Sequence, residues 1–256
     1  MPDVYECKII DVSQLNDAVF SITVVSGELA AQSAPGQFLH IKCGAERLLR
    51  RPISICTVRG EKVRFVFEVK GEGTLWLSKC LPGTSLNILG ALGNGFALPK
   101  GKVIVTGGGI GVPPMLFAAE SAYDTCTAIL GFRSKQNVIL AEEFNKACDE
   151  VFITTDDGSM GVCGMVTVPL EPLLEKGGFD AVLSCGPVLM QRAVAGLCAK
   201  YSVQCQVSLE ERMGCGVGAC LVCACATTQD GVEQMSSVCV DGPVFDAAIV
   251  KWKMES

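Results

Sequence analysis

Cysteine placement constrains this chain more than any other feature. Five of its fifteen cysteines fall between Cys215 and Cys239. The segment from Met213 to Cys225 reads MGCGVGACLVCAC, and Cys239 follows Cys223 after fifteen intervening residues. Cys215, Cys220, Cys223 and Cys239 thus form a C-x4-C-x2-C…C pattern, the spacing with which one loop ligates a [2Fe–2S] cluster. A compact cluster needs four thiolates converging from a wrapped backbone. Gly214, Gly216 and Gly218 let the chain curl and turn amides toward the sulfurs. Such amides raise the reduction potential by stabilising the more negative, reduced cluster. A structural zinc site is the alternative, but zinc ribbons pair two C-x2-C knuckles, and only one half here has that shape. Cys225 breaks the ligand spacing and reads as a structural bystander.

The remaining ten cysteines are scattered through apolar surroundings, where Cys acts as a small hydrophobe. The N-terminus shows no basic segment followed by an apolar run, and no stretch approaches membrane-span length. A cytoplasmic location with reduced thiols is expected. The formal net charge of -6, without a basic stripe, argues against a nucleic-acid partner.

With 256 residues, the chain fits two modest domains and a small module. Tyr5–Val12, Ala18–Val25, Gln37–Lys42, Pro52–Val58, Lys62–Lys70 and Ser85–Leu89 are short β-type runs separated by turn residues, which predicts a closed antiparallel barrel. One helix, Thr74–Cys80, interrupts them. From Lys102 the pattern changes. Apolar runs at Lys102–Thr106, Thr127–Phe132, Val151–Thr155, Ala181–Cys185 and Val203–Leu209 alternate with helical stretches at Pro113–Tyr123, Glu142–Cys148 and Val188–Lys200, which predicts a parallel sheet. The expected division is 1–98, 99–209 and 210–256. The last unit is read as shaped by a metal centre rather than by apolar packing.

Three further segments carry chemistry. In Arg50-Arg51-Pro52-Ile53-Ser54, an Arg-x-x-Ser turn on a barrel edge can set a guanidinium and a hydroxyl against a pyrophosphate. A surface strand started by proline is the plainer reading. Gly71-Glu72-Gly73-Thr74 opens a helix, whose free amides suit a phosphate or simply a cap. Gly107-Gly108-Gly109-Ile110-Gly111 follows the first parallel strand, where glycines permit close approach to a nucleotide phosphate. It lacks the ordinary G-x-G-x-x-G form. Asp156 and Asp157 end a middle strand at the same sheet edge, placed for ribose hydroxyls and repulsive to a 2′-phosphate, or else forming a solvated turn. His40, the single histidine, reads as a packing or surface residue, Trp76 and Trp252 as packing, and Glu142/Glu143 as a solvated helix face.

The run Leu209–Cys223 resembles the cluster motif of the electron-transfer subunit of class 1B dihydroorotate dehydrogenase, a variant of the ferredoxin-reductase family. The resemblance covers nearly the whole chain. It implies an antiparallel FAD-binding β barrel, a parallel α/β NAD-binding domain and a C-terminal [2Fe–2S] module. Arg51, Pro52, Ile53 and Ser54 resemble the flavin motif, with Phe67, Glu68 and Val69 along the flavin and Gly73 and Thr74 at its pyrophosphate. Gly107, Gly108, Gly109 and Gly111 with Pro114 resemble the GGxG-x-x-P nucleotide turn. Cys185, Gly186 and Pro187 resemble a second signature near the nicotinamide, and Asp156 and Asp157 favour NAD over NADP. The implied role is an oxidoreductase subunit of pyrimidine biosynthesis. It would carry electrons between NAD and an FMN-containing catalytic partner in a heterotetramer of two subunits of each kind. A related reductase serving ferredoxin or a hydrogenase, or a zinc-stabilised binding module, are the rival expectations.

Overall fold

The architecture was read from a computed structural model, which describes residues 3–121 and 123–252. Residues 1, 2 and 253–256, at the ends of the expected first and last units, and residue 122, in the expected helix Pro113–Tyr123, lie outside it.

Alternation builds the first layer. β1 (Val4–Gln14) begins with strictly alternating exposed and buried positions, so one face turns inward. β2 (Val19–Val25), β3 (Phe38–Ile41), β4 (Arg51–Arg59), β5 (Lys62–Glu68) and β6 (Ser85–Leu92) close with it into a barrel of order β1-β2-β5-β4-β3-β6. Closure removes the exposed sheet edges. Ile9, Ile22, Leu39, Ile41, Ile55, Phe65 and Ile88 fill the interior. Helix α1 (Gly27–Gln32), unforeseen in the sequence, is capped by Ser26, whose hydroxyl accepts from Leu29 N–H. Helix α2 (Glu72–Ser78) starts two residues before the predicted one.

The second layer is a sheet whose central strands are buried end to end, as expected when helices cover both faces. β7 (Lys102–Gly108), β8 (Thr125–Phe132), β9 (Glu150–Thr155), β10 (Val162–Cys163), β11 (Ala181–Cys185) and β12 (Gln204–Ser208) run parallel in the order β10-β9-β8-β7-β11-β12. Helices α3 (Val112–Ala119), α4 (Ala141–Ala147), α5 (Thr167–Lys176) and α6 (Val188–Lys200) connect them. Strand order reverses at β7, whose neighbours are β8 and β11. Ligand crevices of open α/β sheets form at such a switch point.

The C-terminal unit departs from the expectation of a fold shaped by metal alone. It contains a hairpin, β13 (Ala224–Gln229) with β14 (Val232–Ser237). A further strand, β15 (Val244–Asp246), adds antiparallel to the sheet edge at β12. Cys223, Cys225, Val238, Cys239 and Phe245 join the same apolar cluster as Val182, Val194 and Val207 of the sheet. Cys225 is thus a buried strand residue. Glu143 is also corrected: it does not face solvent alone, because Arg64 of the barrel donates to both its oxygens, at 2.9 and 2.7 Å. That forked ion pair ties α4 to the barrel.

A second tie fastens the C-terminal unit to the barrel. Asn94 N–H donates to Gly242 O at 2.6 Å, and its side chain donates to the carbonyls of Val240 and Asp241 at 3.0 Å. Gly93 precedes it at φ +76, and a Cβ there would stand 2.4 Å from Pro243 Cδ and 2.7 Å from Gly242 O. Gly60 has φ +60 but open space around it. Gly93→Ala should therefore cost about 2 kcal/mol or more in stability, combining left-handed strain with backbone overlap. Gly60→Ala should cost only the strain, about 1 kcal/mol. Guanidinium unfolding midpoints of the two variants check this.

Candidate flavin, nucleotide and cluster sites

Two crevices meet where the three units join. The smaller, about 250 Å³, is lined by Pro52, Ile53, Ser54, Phe67, Glu68 and Thr74 of the barrel and by Met213, Val238 and Pro243 of the C-terminal unit. Most of the expected flavin residues thus share one wall. β4 carries Pro52 and Ser54, and β5 carries Phe67 and Glu68. Arg51 and Gly73 stand together beside it, since a Cβ on Gly73 would lie 2.6 Å from Arg51 Nε. The Arg51 guanidinium donates to Leu49 O at 2.6 Å. Thr74 Oγ1 accepts from the amides of Lys70 and Gly71 at 3.0 and 3.2 Å, so it stabilises its own turn. Val69 packs against the barrel core, and its N–H donates to Ala18 O.

The larger crevice, about 570 Å³, lies over the carboxyl ends of the sheet strands and is lined by Gly108, Gly109, Ile110, Gly111, Asp156, Gly186 and Pro187. The two signature turns are in contact. A Cβ on Gly111 would stand 2.5 Å from Cys185 O, and one on Gly108 would stand 2.5 Å from Met190 Sδ. Gln191 was not foreseen. It is fully buried, and its amide donates to Gly186 O at 2.8 Å and Ser208 O at 3.0 Å, fixing the second turn. Three expected residues stand off the crevice wall. Gly107 is in β7, paired with Cys185. The Cys185 thiol is buried and pushed upward, by burial first and then by Glu210. The Asp157 carboxylate accepts from Ser159 N–H at 3.0 Å and Ser159 Oγ at 2.6 Å.

Glu68, Lys70, Ile110 and Glu210 line both crevices. Of these, sequence reading singled out only Glu68. Glu210 is open to solvent in surface terms, yet it projects into the junction. Its carboxyl is pushed up by the surrounding walls, with Lys70 opposing. It lies two residues past the end of β12, and its place at the junction emerges only from the fold.

The four cysteines expected to ligate do converge. Val217 N–H donates to Cys215 Sγ at 3.4 Å, Gly218 N–H to Cys239 Sγ at 3.2 Å, and Cys215 N–H to Cys220 Sγ at 3.4 Å. Gly216 and Gly218 take φ +75 and +79, the left-handed turns this wrapping requires. The thiols pair two by two, Cys215 with Cys220 and Cys223 with Cys239. Burial pushes Cys215 up, but the Val217 amide and neighbouring donors outweigh it and hold the thiol down at about 7. Burial and the adjoining Cys223 push Cys239 up to about 12. Among the described residues, no three His, Cys, Asp or Glu gather closely enough for a single ion. Two thiol pairs with amides aimed at their sulfurs fit a two-iron cluster, in which each iron takes two thiolates.

Gly111→Ala should force the signature turns apart, because the obstructing atoms are backbone. Affinity for NAD(H), titrated calorimetrically, should fall tenfold or more, about 1.4 kcal/mol. Gly196→Ala in α6, with nothing within 4 Å of the added Cβ, should leave affinity unchanged.

Residues 210–251 match the family described as the iron–sulfur cluster binding domain of dihydroorotate dehydrogenase B. Among curated relatives, the dihydroorotate dehydrogenase B (NAD(+)) electron transfer subunit of Caldanaerobacter subterraneus subsp. tengcongensis is 43% identical over 82% of this chain and 84% of its own. That of Desulforamulus reducens is 38% identical over 99% and 100%. Among solved structures, an NADH-dependent reduced ferredoxin-NADP oxidoreductase superposes with a TM-score of 0.85 at 29% identity, covering 98% of this chain and 92% of that one. A ferredoxin NADP+ reductase from Neisseria gonorrhoeae, at TM-score 0.65 and 15% identity over 78% and 92%, shares the fold. The resemblance drawn from residues 209–223 thus extends across the chain, which belongs to the family of dihydroorotate dehydrogenase B (NAD(+)) electron transfer subunits.

Proposed function

We propose that this chain carries electrons between NAD(H) and a dihydroorotate dehydrogenase catalytic subunit, through FAD in the barrel crevice and a [2Fe–2S] cluster on Cys215, Cys220, Cys223 and Cys239. The observation that carries this is the shared wall. The crevice lined by Pro52, Ile53, Ser54 and Phe67 is also lined by Met213 and Val238, which stand two and one residues before ligating cysteines. Its other side opens onto the nucleotide crevice at Ile110 and Glu210. One route therefore runs nucleotide, flavin, cluster, across the residues that the crevices share.

When bound, the flavin supplies the conversion between two-electron hydride chemistry and single-electron transfer. The chain's own groups bind and orient. Arg51, beside Gly73 and Thr74, supplies positive charge for a pyrophosphate. Gly108, Gly109 and Gly111 let a dinucleotide approach the backbone. Asp156 faces the crevice where a ribose would lie, favouring NAD over a 2′-phosphorylated cofactor. The Val217 and Gly218 amides stabilise negative charge on the thiolates. Ile110, between the crevices, keeps water from the contact.

The unit division follows 1–98, 99–209 and 210–256. The partner is the FMN-containing subunit, in an assembly of two plus two. Val217, Leu221, Val222 and Val240 around the cluster loop are exposed apolar residues, suited to a protein partner. None of the fifteen cysteines is in a disulfide, which favours a reducing cytosol. No helix among the described residues is long and apolar enough to cross a membrane.

Anaerobically purified protein should show flavin bands and a red-shifted iron–sulfur envelope that dithionite bleaches, with two irons and two acid-labile sulfides per chain. Cys223→Ser should abolish the envelope while retaining FAD. A colourless zinc protein would sink the proposal. Co-purification of an FMN protein with dihydroorotate-dependent NAD reduction separates this reading from a ferredoxin-serving reductase. Asp156→Asn should raise KM for NADH about tenfold, as expected for loss of a charged hydrogen bond.

A further inference from the structure

His40 is the chain's single histidine. It lies in β3, 1% exposed, on the strand face that also carries Phe38, because residues two apart share a side. Phe38 lines the flavin crevice. The His40 ring meets the cysteine loop instead: a Cβ built on Gly216 would stand 2.6 Å from Nδ1 and 3.2 Å from Cε1. That contact and the loop's φ of +75 at this position both require glycine next to Cys215. The strand is held from behind. Arg50 donates to the His40 carbonyl at 3.2 Å and the Asn87 carbonyl at 3.0 Å, and His40 stands in register with Pro52 and Leu89.

Both imidazole nitrogens are buried without a hydrogen-bond partner of good geometry. A neutral imidazole always carries one N–H, and leaving a buried donor unpaired costs on the order of 1–3 kcal/mol. Leu at the same position would fill the space without that cost. The acceptors near the ring are the backbone carbonyls of Cys215 and Arg50.

We propose that His40 is a positioning residue for the iron–sulfur cluster: its N–H takes the Cys215 carbonyl, and its ring, packed on Gly216, fixes the peptide that aims the loop's amides at the thiolates. This rests on the reading of the four cysteines as cluster ligands. The aim concerns the amides of Val217 and Gly218, which already lie 3.4 and 3.2 Å from sulfur. These bonds favour the reduced, more negative cluster, so loosening them lowers the potential. Because β3 also supplies Phe38, one rigid strand sets the cluster loop and the flavin wall relative to each other.

The test compares holoprotein of wild type, His40→Leu and His40→Asn by EPR-monitored redox titration and by iron loss to a chelator. His40→Leu should keep wild-type FAD content and flavin potential. Its cluster should show shifted g values, a lower midpoint potential and iron release on the order of tenfold faster. Failure of this variant alone to load a cluster, with FAD still bound, supports the same role. His40→Asn restores an N–H near the Nδ1 position and should recover most of the wild-type behaviour. A wild-type cluster spectrum, potential and iron release in His40→Leu would overturn the inference, as would His40→Asn behaving like His40→Leu. Loss of FAD and cluster together in both variants would assign His40 to barrel packing instead. Wild-type protein without iron and acid-labile sulfide would overturn the cluster reading itself, and this inference with it.

Discussion

Single electrons cross protein efficiently only over short gaps, so three redox groups must share walls rather than merely a chain. That demand explains where the C-terminal unit goes. After the cysteine loop the chain could have formed a free-standing knob. Instead β15 completes the parallel sheet at β12, while Gly93 and Asn94 grip residues 240–243 from the barrel. The cluster loop is thus pinned between two larger bodies. Met213 and Val238 reach the flavin crevice as a consequence of that pinning. The apolar residues that make the attachment, Val238 and Phe245 among them, belong to the sheet's own core, so burying them drives the docking.

Close backbone approach is the second device, and it is built by leaving atoms out. Gly108, Gly111 and Gly186 let two turns from different strands touch, and Gln191 then ties the second turn to the end of β12. This places Gly108 at the lip of one crevice and Ile110 and Glu210 at the junction of both. The Arg64–Glu143 fork serves the same end on the far side. Its chemistry is ordinary, but it stops the barrel from swinging away from the sheet and opening the junction.

What was legible in the sequence follows from how local the cause was. The six barrel strands and the parallel run were readable because alternation and end-to-end burial are periodic in the chain itself. The C-terminal iron–sulfur domain was readable because cysteines crowded into one loop are a local feature of the sequence. Helix α5 went unseen because Pro169 and Pro172 interrupt its pattern. Pro169 lies in the first turn, where its missing N–H is harmless. The hairpin β13–β14 went unseen because β14 is exposed along most of its length, which leaves no apolar alternation to read. Glu143, Glu210 and His40 share a different difficulty: each faces a residue tens or hundreds of positions away, and nothing in the adjoining sequence names that partner.

The cysteine loop owes much of its order to the units it is attached to. From Leu209 to Cys223 the chain has no regular helix or strand, and metal binding to such a segment is ordinarily coupled to its folding. Here much of the ordering comes from elsewhere. The hairpin fixes Cys223 and Cys239 in the core, leaving Cys215 and Cys220 on the exposed half of the loop to close over them. Amides already point at three of the four sulfurs. The arrangement lowers the conformational entropy still to be lost on assembly. The loop is therefore anchored through Cys223 and Cys239, which the core buries, while Cys215 and Cys220 lie on its more exposed half.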